Sequence, residues 1–496
     1  MSNPASLAAS DSSRRAFEPD SNSRSQTDLH ARLRFYHALS QHSGMPPVQV
    51  HAAILPASLF IPLFAASANE GDQSSIVTIF SIWSCMCGAS MLAMPWGFSQ
   101  AGFSMSIVVM VVVGAISLAT AQLVLSAGNT LGENEFGEIA GRYLGPWGKW
   151  ASWASSVLIL VGACTAYHIL MSQSLYSSLS AFYYYATHSD ISSSHGYFRY
   201  WSPKTAPIVV MLLVLPLVNI KDFSVLVRIN SIGVFCIMYL VIFMITGSIS
   251  EHPIDFPEVE EYDHRFFYFA GMLMLSFFIH NAVLTITSNA KKPENNARDL
   301  TIAYILVGAT YASVGGIGYL TFDKFVDWNL PVAQNFLELF DPRAIYPLTA
   351  RFSVFLLLYT VLPLIACIIR IQFFGTLWDS VFPSRGHVFL LNAALLGTTT
   401  LFAVYYPQVG TVLRFTGAIC GYLYIFIIPL FVQYFMERQR KTLTTRKLVL
   451  GIFMLLVGAA VSASQFIPAS PAPSPVPHPT PVPPHPHPSH LPHPLM

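Results

Sequence analysis

The sequence predicts an all-α polytopic membrane protein, and three observations carry that prediction. Hydrophobic residues make up 53% of the 496 positions and charged residues only 10%, against about a quarter in ordinary soluble domains. The mean hydropathy is +0.52. The apolar residues also gather in runs long enough to cross a bilayer, which takes about 20 helical residues. A net charge of +1 excludes broad electrostatic attraction to nucleic acid as an organising feature. The six cysteines all fall inside apolar runs, so they imply buried small hydrophobes rather than a disulfide framework. No Asn-x-Ser/Thr acceptor occurs, so glycosylation says nothing about which loops face a lumen.

The chain divides into three parts. Residues 1–74 form an N-terminal segment whose start is polar and Ser-rich, without the apolar core of a signal peptide. Within it, Arg32-Leu33-Arg34-Phe35-Tyr36 mixes basic and aromatic residues, and 54–64 is apolar but interrupted by Pro56 and Pro62. That stretch is unsuited to a span; it reads either as docking against the membrane domain or as an amphipathic surface anchor. Residues 75–467 form the transmembrane domain. Eleven spans are predicted, at 75–99, 103–126, 150–186, 205–219, 222–248, 266–289, 299–322, 344–374, 387–406, 409–435 and 447–467. The third and eighth exceed the membrane's need, and Pro216 weakens the short fourth. Residues 468–496 form a Pro/His-rich tail, extended because proline forbids helix, whose histidines could bind metal or take up protons but read more simply as a solvated tail.

Orientation follows from lysine and arginine. With the N-terminus cytosolic, Lys291, Lys292, Arg298, Arg438, Arg440, Lys441, Arg446 and Lys447 all lie on the cytosolic side, as the positive-inside rule expects. The opposite loops collect Glu251, Asp255, Glu258, Glu260, Glu261 and Asp263. The tail is then lumenal.

The stretch from Ser74 to Phe103 organises the chain. Its middle, Cys85-Met86-Cys87-Gly88-Ala89-Ser90, is rich in small residues, and Pro95 follows about two turns later. Glycine and proline both weaken a helical ladder, and backbone that leaves the helix at mid-membrane must line a cavity or be buried in protein. Transporters use such breaks to hold charged groups on half-helix ends. Close helix packing is the other reading of the same small residues, and composition leaves both open. In the sixth span, Ser276, His280, Asn281, Thr285 and Thr287 interrupt Phe277, Phe278 and Ile279; Gly271 or the Asn281 region is the expected break. Intramembrane polar groups are costly and often functional. His280 reads as a gate or proton relay, or equally as a structural histidine. Tyr167 and His168 read as polar tips on a cavity wall, or as packing residues. No catalytic constellation is present, so an enzyme is not expected.

The segment Thr78 to Phe103, with Phe277-Phe278-Ile279-His280-Asn281, the loop from Lys291-Lys292-Pro293-Glu294 to Leu300, and Arg414-Phe415-Thr416-Gly417-Ala418-Ile419-Cys420-Gly421, resembles the amino acid/auxin permease family, in particular its lysosomal, arginine-sensing branch. The likeness runs in order from about Ser58 to Tyr434. It implies a leucine-transporter-type fold: five spans, an inverted repeat of five, and one added span. It implies that Ser84, Cys85, Met86, Cys87, Gly88, Ala89 and Ser90 surround an amino acid. In a repeat-built transporter the sixth span is the inverted counterpart of the first, so His280 and Asn281 are expected on the same cavity; Thr416 reads either as a cavity residue or as one that allows close packing. A sodium site is implied at Ala89 and Ser90, with Thr360 as a candidate partner. Two departures stand out: relatives carry Asn-Thr where this chain has Ser84-Cys85, and a sodium-linked threonine where it has Ala89. The resemblance further implies a lysosomal membrane, substrates such as arginine, leucine and glutamine, arginine-regulated efflux, and nutrient sensing through Ragulator and Rag GTPases bound by the N-terminal segment. That segment, through Arg32 to Tyr36, would be able to enter the substrate cavity. Three readings follow: sodium-coupled transport, proton-coupled transport, and a non-transporting sensor or scaffold. A channel is disfavoured, since no repeated charged rings occur.

Overall fold

The computed structural model describes residues 74–133, 135–188, 200–220, 233–251, 261–288, 290–322, 333–378 and 384–467. The expectations for Arg32 to Tyr36, for 54–64 and for the Pro/His-rich tail fall outside these residues. Among the described residues there is no strand. In chain order the elements are α1 (Ser75–Met86), a 3-10 turn (Ala89–Ala93), α2 (Met94–Ala101), α3 (Phe103–Leu131), α4 (Phe136–Thr187), α5 (Ala206–Val218) and α6 (Gly233–Glu251). They continue with α7 (Phe266–Ser276), α8 (Val283–Ser288), α9 (Asn296–Phe322), α10 (Ile345–Trp378), α11 (Arg385–Tyr405) and α12 (Val409–Thr416). A π-helical stretch (Gly417–Ile427), α13 (Ile428–Gln439) and α14 (Thr445–Ser464) complete the chain.

Among the described residues seven helices, counting α12 to α13 as one, are long and apolar enough to cross a membrane, and the bent pair α1 and α2 adds an eighth. The helices α5, α6 and α7 are apolar but shorter. The third predicted span begins earlier than expected, at Phe136. Its helix turns at Gly145, whose φ of +73° favours glycine, with Pro146 starting the second part. Gly102, at φ +78°, similarly lets the chain turn from α2 into α3. Pro216 does not end α5, which runs through it to Val218.

The two long helices α4 and α10 pack on each other, and α5, α6 and α11 lie against them. Against this frame sits a second group: α1 and α2 on α9, and α7 on α3, α12 and the π stretch. Lipid is as apolar as a leucine side chain, so close fit rather than water exclusion holds such helices together. The fit is visible at Phe98 of α2, which is fully buried. Its ring meets Phe103, Phe269 and Tyr319 at centroid distances of 6.2, 5.6 and 6.5 Å. Such aromatic pairs add about 0.5–1.5 kcal/mol beyond burial, so one side chain ties α2 to α3, α7 and α9. Gly315 and Gly318 of α9 make room for Phe98 and Pro95.

The polar loops tie the same elements at their ends. In the Lys291 to Leu300 motif, Asn296 does not cap its own helix; it donates to Thr287 O of α8 at 3.1 Å. Arg298 pairs with buried Asp299 at 2.9 Å and donates to Ser75 Oγ at the start of α1 at 3.3 Å. On the opposite side, Asp263 N donates to Ala101 O at 2.9 Å and Met105 N to Glu261 O at 3.1 Å, lacing the approach to α7 onto the α2–α3 corner. Burial alone would raise the Asp263 carboxyl, but hydrogen bonds and charge from Arg265, with His264 beside it, hold it below the usual carboxylate range. A depressed folded pKa stabilises above the unfolded value of about 3.9 and loses its effect only as pH falls through the folded one. Asp263→Asn is therefore expected to lower the melting temperature equally at neutral and mildly acidic pH. The difference from the parent should close only below about pH 4, as thermal melts across pH would read.

Candidate functional site at the two interrupted spans

The first span breaks where its small residues lie. α1 closes at Met86, with Cys87 N still donating to Trp83 O at 2.9 Å. Gly88 then takes a non-helical conformation with ψ −132°, and the chain resumes as the 3-10 turn Ala89–Ala93. The halves differ in direction by 51°. The first amides of that turn follow a break, so they have no helical carbonyl to bind and can face an anion. The sixth span breaks at Phe277 to Ala282, between α7 and α8. This is the expected Asn281 region; Gly271 stays helical within α7 and meets the Gln465 side chain.

One helix joins both breaks. Tyr311 of α9 donates its hydroxyl proton toward Met86 O, the last carbonyl of α1, and toward Ser276 O of α7 at 3.1 Å. Two turns earlier, Tyr304 donates to Phe277 O at 2.9 Å and stacks on the Phe277 ring at 5.9 Å. Trp83 Nε1 donates to Thr310 Oγ1 at 3.0 Å. Sequence reasoning missed these α9 residues. The available signal was two tyrosines seven apart in an apolar helix, since a buried phenol needs a hydrogen-bond partner.

The residues expected at the site divide by placement. Cys85 and Gly88 are partly exposed at the first break, and Asn281 at the second. Tyr167 of α4 reaches the first break: its hydroxyl would lie 3.2 Å from a Cβ at Gly88. Met86 and Cys87 are buried, and Ser84 is buried and donates to Ser81 O at 3.0 Å. Ser90 is buried beside Tyr311. His280 is fully buried and turned into α3, where its Nε2 lies 2.9 Å from Thr120 Oγ1. His168 is likewise turned away, toward Pro207 O at 3.0 Å and Thr399 Oγ1 at 3.1 Å. Thr416 packs against Gly162 of α4. Removing a partner from a buried polar group costs about 1–3 kcal/mol. Thr120→Val is thus expected to destabilise the protein by that amount in thermal melts, and Thr120→Ser, which keeps the hydroxyl, to restore most of it.

The implied sodium ligands lie on different elements. Thr360 sits on α10, and its hydroxyl donates to Leu357 O at 2.8 Å. Ala89 has no side-chain oxygen, and Ser90 lies beside Tyr311.

Near the end of α2 the residues before α10 are held by polar contacts. Gln334 donates to Thr411 Oγ1 at 3.0 Å and accepts from Thr411 N at 3.1 Å. Asn335 donates to Gln173 Oε1 at 3.0 Å, and Arg351 donates to Leu337 O and Phe340 O at 2.8 and 2.9 Å. A groove of about 680 Å³ between α4, α6 and α10 is unrelated to the breaks. Its walls include outward-facing Phe182 and Phe352, so it suits lipid chains rather than a zwitterion.

Known proteins share this architecture. The crystal structure of MhsT in complex with L-phenylalanine matches with a TM-score of 0.50, covering 78% of this chain and 97% of that one at 13% identity. That likeness shows the fold alone, a leucine-transporter-type arrangement. Neutral amino acid transporter 9 of Danio rerio is 30% identical, over 88% of this chain and 90% of its own. The protein of that name from Rattus norvegicus is 31% identical over 88% and 89%. The sodium-coupled neutral amino acid transporter 9 homolog of Caenorhabditis elegans is 30% identical over 89% and 82%. Residues 72–468 match the family described as transmembrane amino acid transporter protein. A multi-pass membrane protein with chain breaks after α1 and after α7, and no enzyme, this chain belongs to the transmembrane amino acid transporter family.

Proposed function

We propose that the chain carries neutral amino acids across a lysosomal or equivalent endomembrane by alternating access. The observation that supports this most is the pair of spans interrupted side by side and joined through Tyr311. The amino acid sits at the breaks, its carboxylate on the first amides of the Ala89–Ala93 turn and its ammonium group on carbonyls freed by unwinding. Cys85, Gly88, Asn281 and Tyr167 are the accessible walls, and Ser84, Met86, Cys87 and Ser90 form the support behind them. Residues 84–93 and 277–282 contain no carboxylate, which suits a neutral side chain, as do the names of the relatives. The eleven-span reading takes α5, α6 and the α7–α8 pair as spans and the two halves as inverted repeats of five.

Arginine regulation, arginine binding and signalling through Ragulator and Rag GTPases are part of this proposal, supported by likeness to the transporter 9 relatives over most of the chain. The C. elegans relative's name supports sodium as the coupling ion; the missing hydroxyl at Ala89 favours protons as the second reading. Uptake of labelled leucine and arginine by purified protein in liposomes, with and without sodium, tests the proposal. Sodium-dependent flux supports symport, and flux without sodium supports protons or exchange. Binding without flux overturns transport in favour of a sensor. In that case deletion of residues 1–70 abolishes partner binding, whereas a transporter keeps its flux.

A further inference from the structure

The half-helices α1 and α7 end at one point, and a neutral side chain holds that point. Met86 and Ser276 are their last residues, so each presents a terminal carbonyl with no helical donor of its own. Each helix C-terminus carries about half a negative elementary charge, so the pair amounts to about one. Where half-helices end inside a membrane, carbonyls of this kind commonly coordinate the coupling cation. Here both face Tyr311 Oη, 3.1 Å from Ser276 O and closer still to Met86 O. The tyrosine is fully buried, Phe277 packs edge-on against its ring at 5.6 Å, and Ser90 lies beside the hydroxyl.

We propose that Tyr311 is a positioning residue that takes the place of a cation between the two half-helix ends. Its single hydroxyl proton, shared by the two carbonyls, meets the negative potential that an ion would otherwise meet. Unlike an ion, it cannot dissociate during a cycle. Any coupling ion therefore binds elsewhere. The functional consequence rests on the transporter reading, but the substitution of hydroxyl for cation can be tested without transport.

The full-length protein, Tyr311→Phe and Tyr304→Phe would be purified in detergent and melted in sodium chloride and in choline chloride of equal concentration. Tyr311→Phe leaves two carbonyls and Ser90 around a gap of about one water. Its melting temperature is expected to rise several degrees more in sodium than in choline, relative to the parent's own difference; Tyr304→Phe should match the parent. An equal difference in Tyr311→Phe and parent would overturn the proposal and leave Tyr311 as a structural tie. Should Tyr311→Phe not fold, Tyr311→Lys decides, because an extended lysine places a fixed cation about as far out as a tyrosine hydroxyl. A folded, sodium-insensitive lysine variant supports the proposal, and an unfolded one overturns it. In liposomes, leucine uptake by Tyr311→Phe should fall at least tenfold in choline and recover in sodium. If the parent itself carries no amino acid, the transporter reading fails while the melts still decide the role of Tyr311.

Discussion

Gly417→Ala is expected to abolish amino-acid uptake and to destabilise the protein more than any other single methyl described here. A Cβ at Gly417 would fall 2.3 Å from Gly271 O and 2.8 Å from Leu275 N. Both neighbours are backbone of α7, so no flexible side-chain tip can yield. The π-helical stretch that begins at Gly417 is what brings the tenth span this close, since a wider turn shifts the following residues around the axis. Overpacking costs about 1–3 kcal/mol, occasionally more, and a clash with main chain belongs at the top of that range. Gly271→Ala is the internal comparison. The nearest atoms to its Cβ would be those of the Gln465 side-chain amide at 2.9 Å, farther than the 2.3 Å at Gly417 and side chain rather than backbone. Thermal melts of the two variants side by side decide the matter. If Gly417→Ala melts as high as Gly271→Ala, the close approach of the π stretch to α7 is wrong.

Gly88→Val is expected to do the opposite: to leave folding intact and remove substrate binding. The position is partly exposed at the break, and a Cβ there comes 3.2 Å from the Tyr167 hydroxyl. A small shift of the tyrosine admits alanine, so Gly88→Ala should bind weakly but measurably. The two methyl groups of valine project into the space between Cys85 and Tyr167, where the main chain has to meet the ligand. A loss of about 100-fold in affinity, or about 2.8 kcal/mol, is the expected result. Equilibrium binding of labelled leucine, with melting temperature as the control, measures it. Unchanged affinity would move the ligand away from the first break.

Much of this was legible in the sequence because the relevant physics is local. A bilayer demands long apolar runs, and those runs appear as helices near their expected positions. Glycine and small residues at Cys85 to Ser90 left a break and close packing both open, and the break after α7 falls at one of the two places expected, the Asn281 region rather than Gly271. What could not be read was the direction in which a polar side chain turns. His280 and His168 each read equally as cavity or as structural residues, and each finds its partner on a neighbouring helix, Thr120 in one case and Thr399 in the other. Thr416 sits against Gly162 for the same reason: rotation about a helix axis is set by packing between elements far apart in sequence. Tyr304 and Tyr311 offered only their spacing in an apolar helix, because their roles depend on carbonyls that exist as acceptors only once two other helices have ended.

The links between α1 and α9 carry a mechanical consequence. They are spaced along the whole first half-span: Arg298 to Ser75 at its base, Trp83 to Thr310 in its middle and Tyr311 to Met86 at its tip. A rod fastened at three heights cannot swing by itself. It carries its neighbour with it, as a single stiff lever whose fulcrum lies beyond the last fastening, at Gly88. Opening the pathway on that side is then a matter of how firmly two helices together lean on the frame of α4 and α10, rather than of how loosely one helix is held.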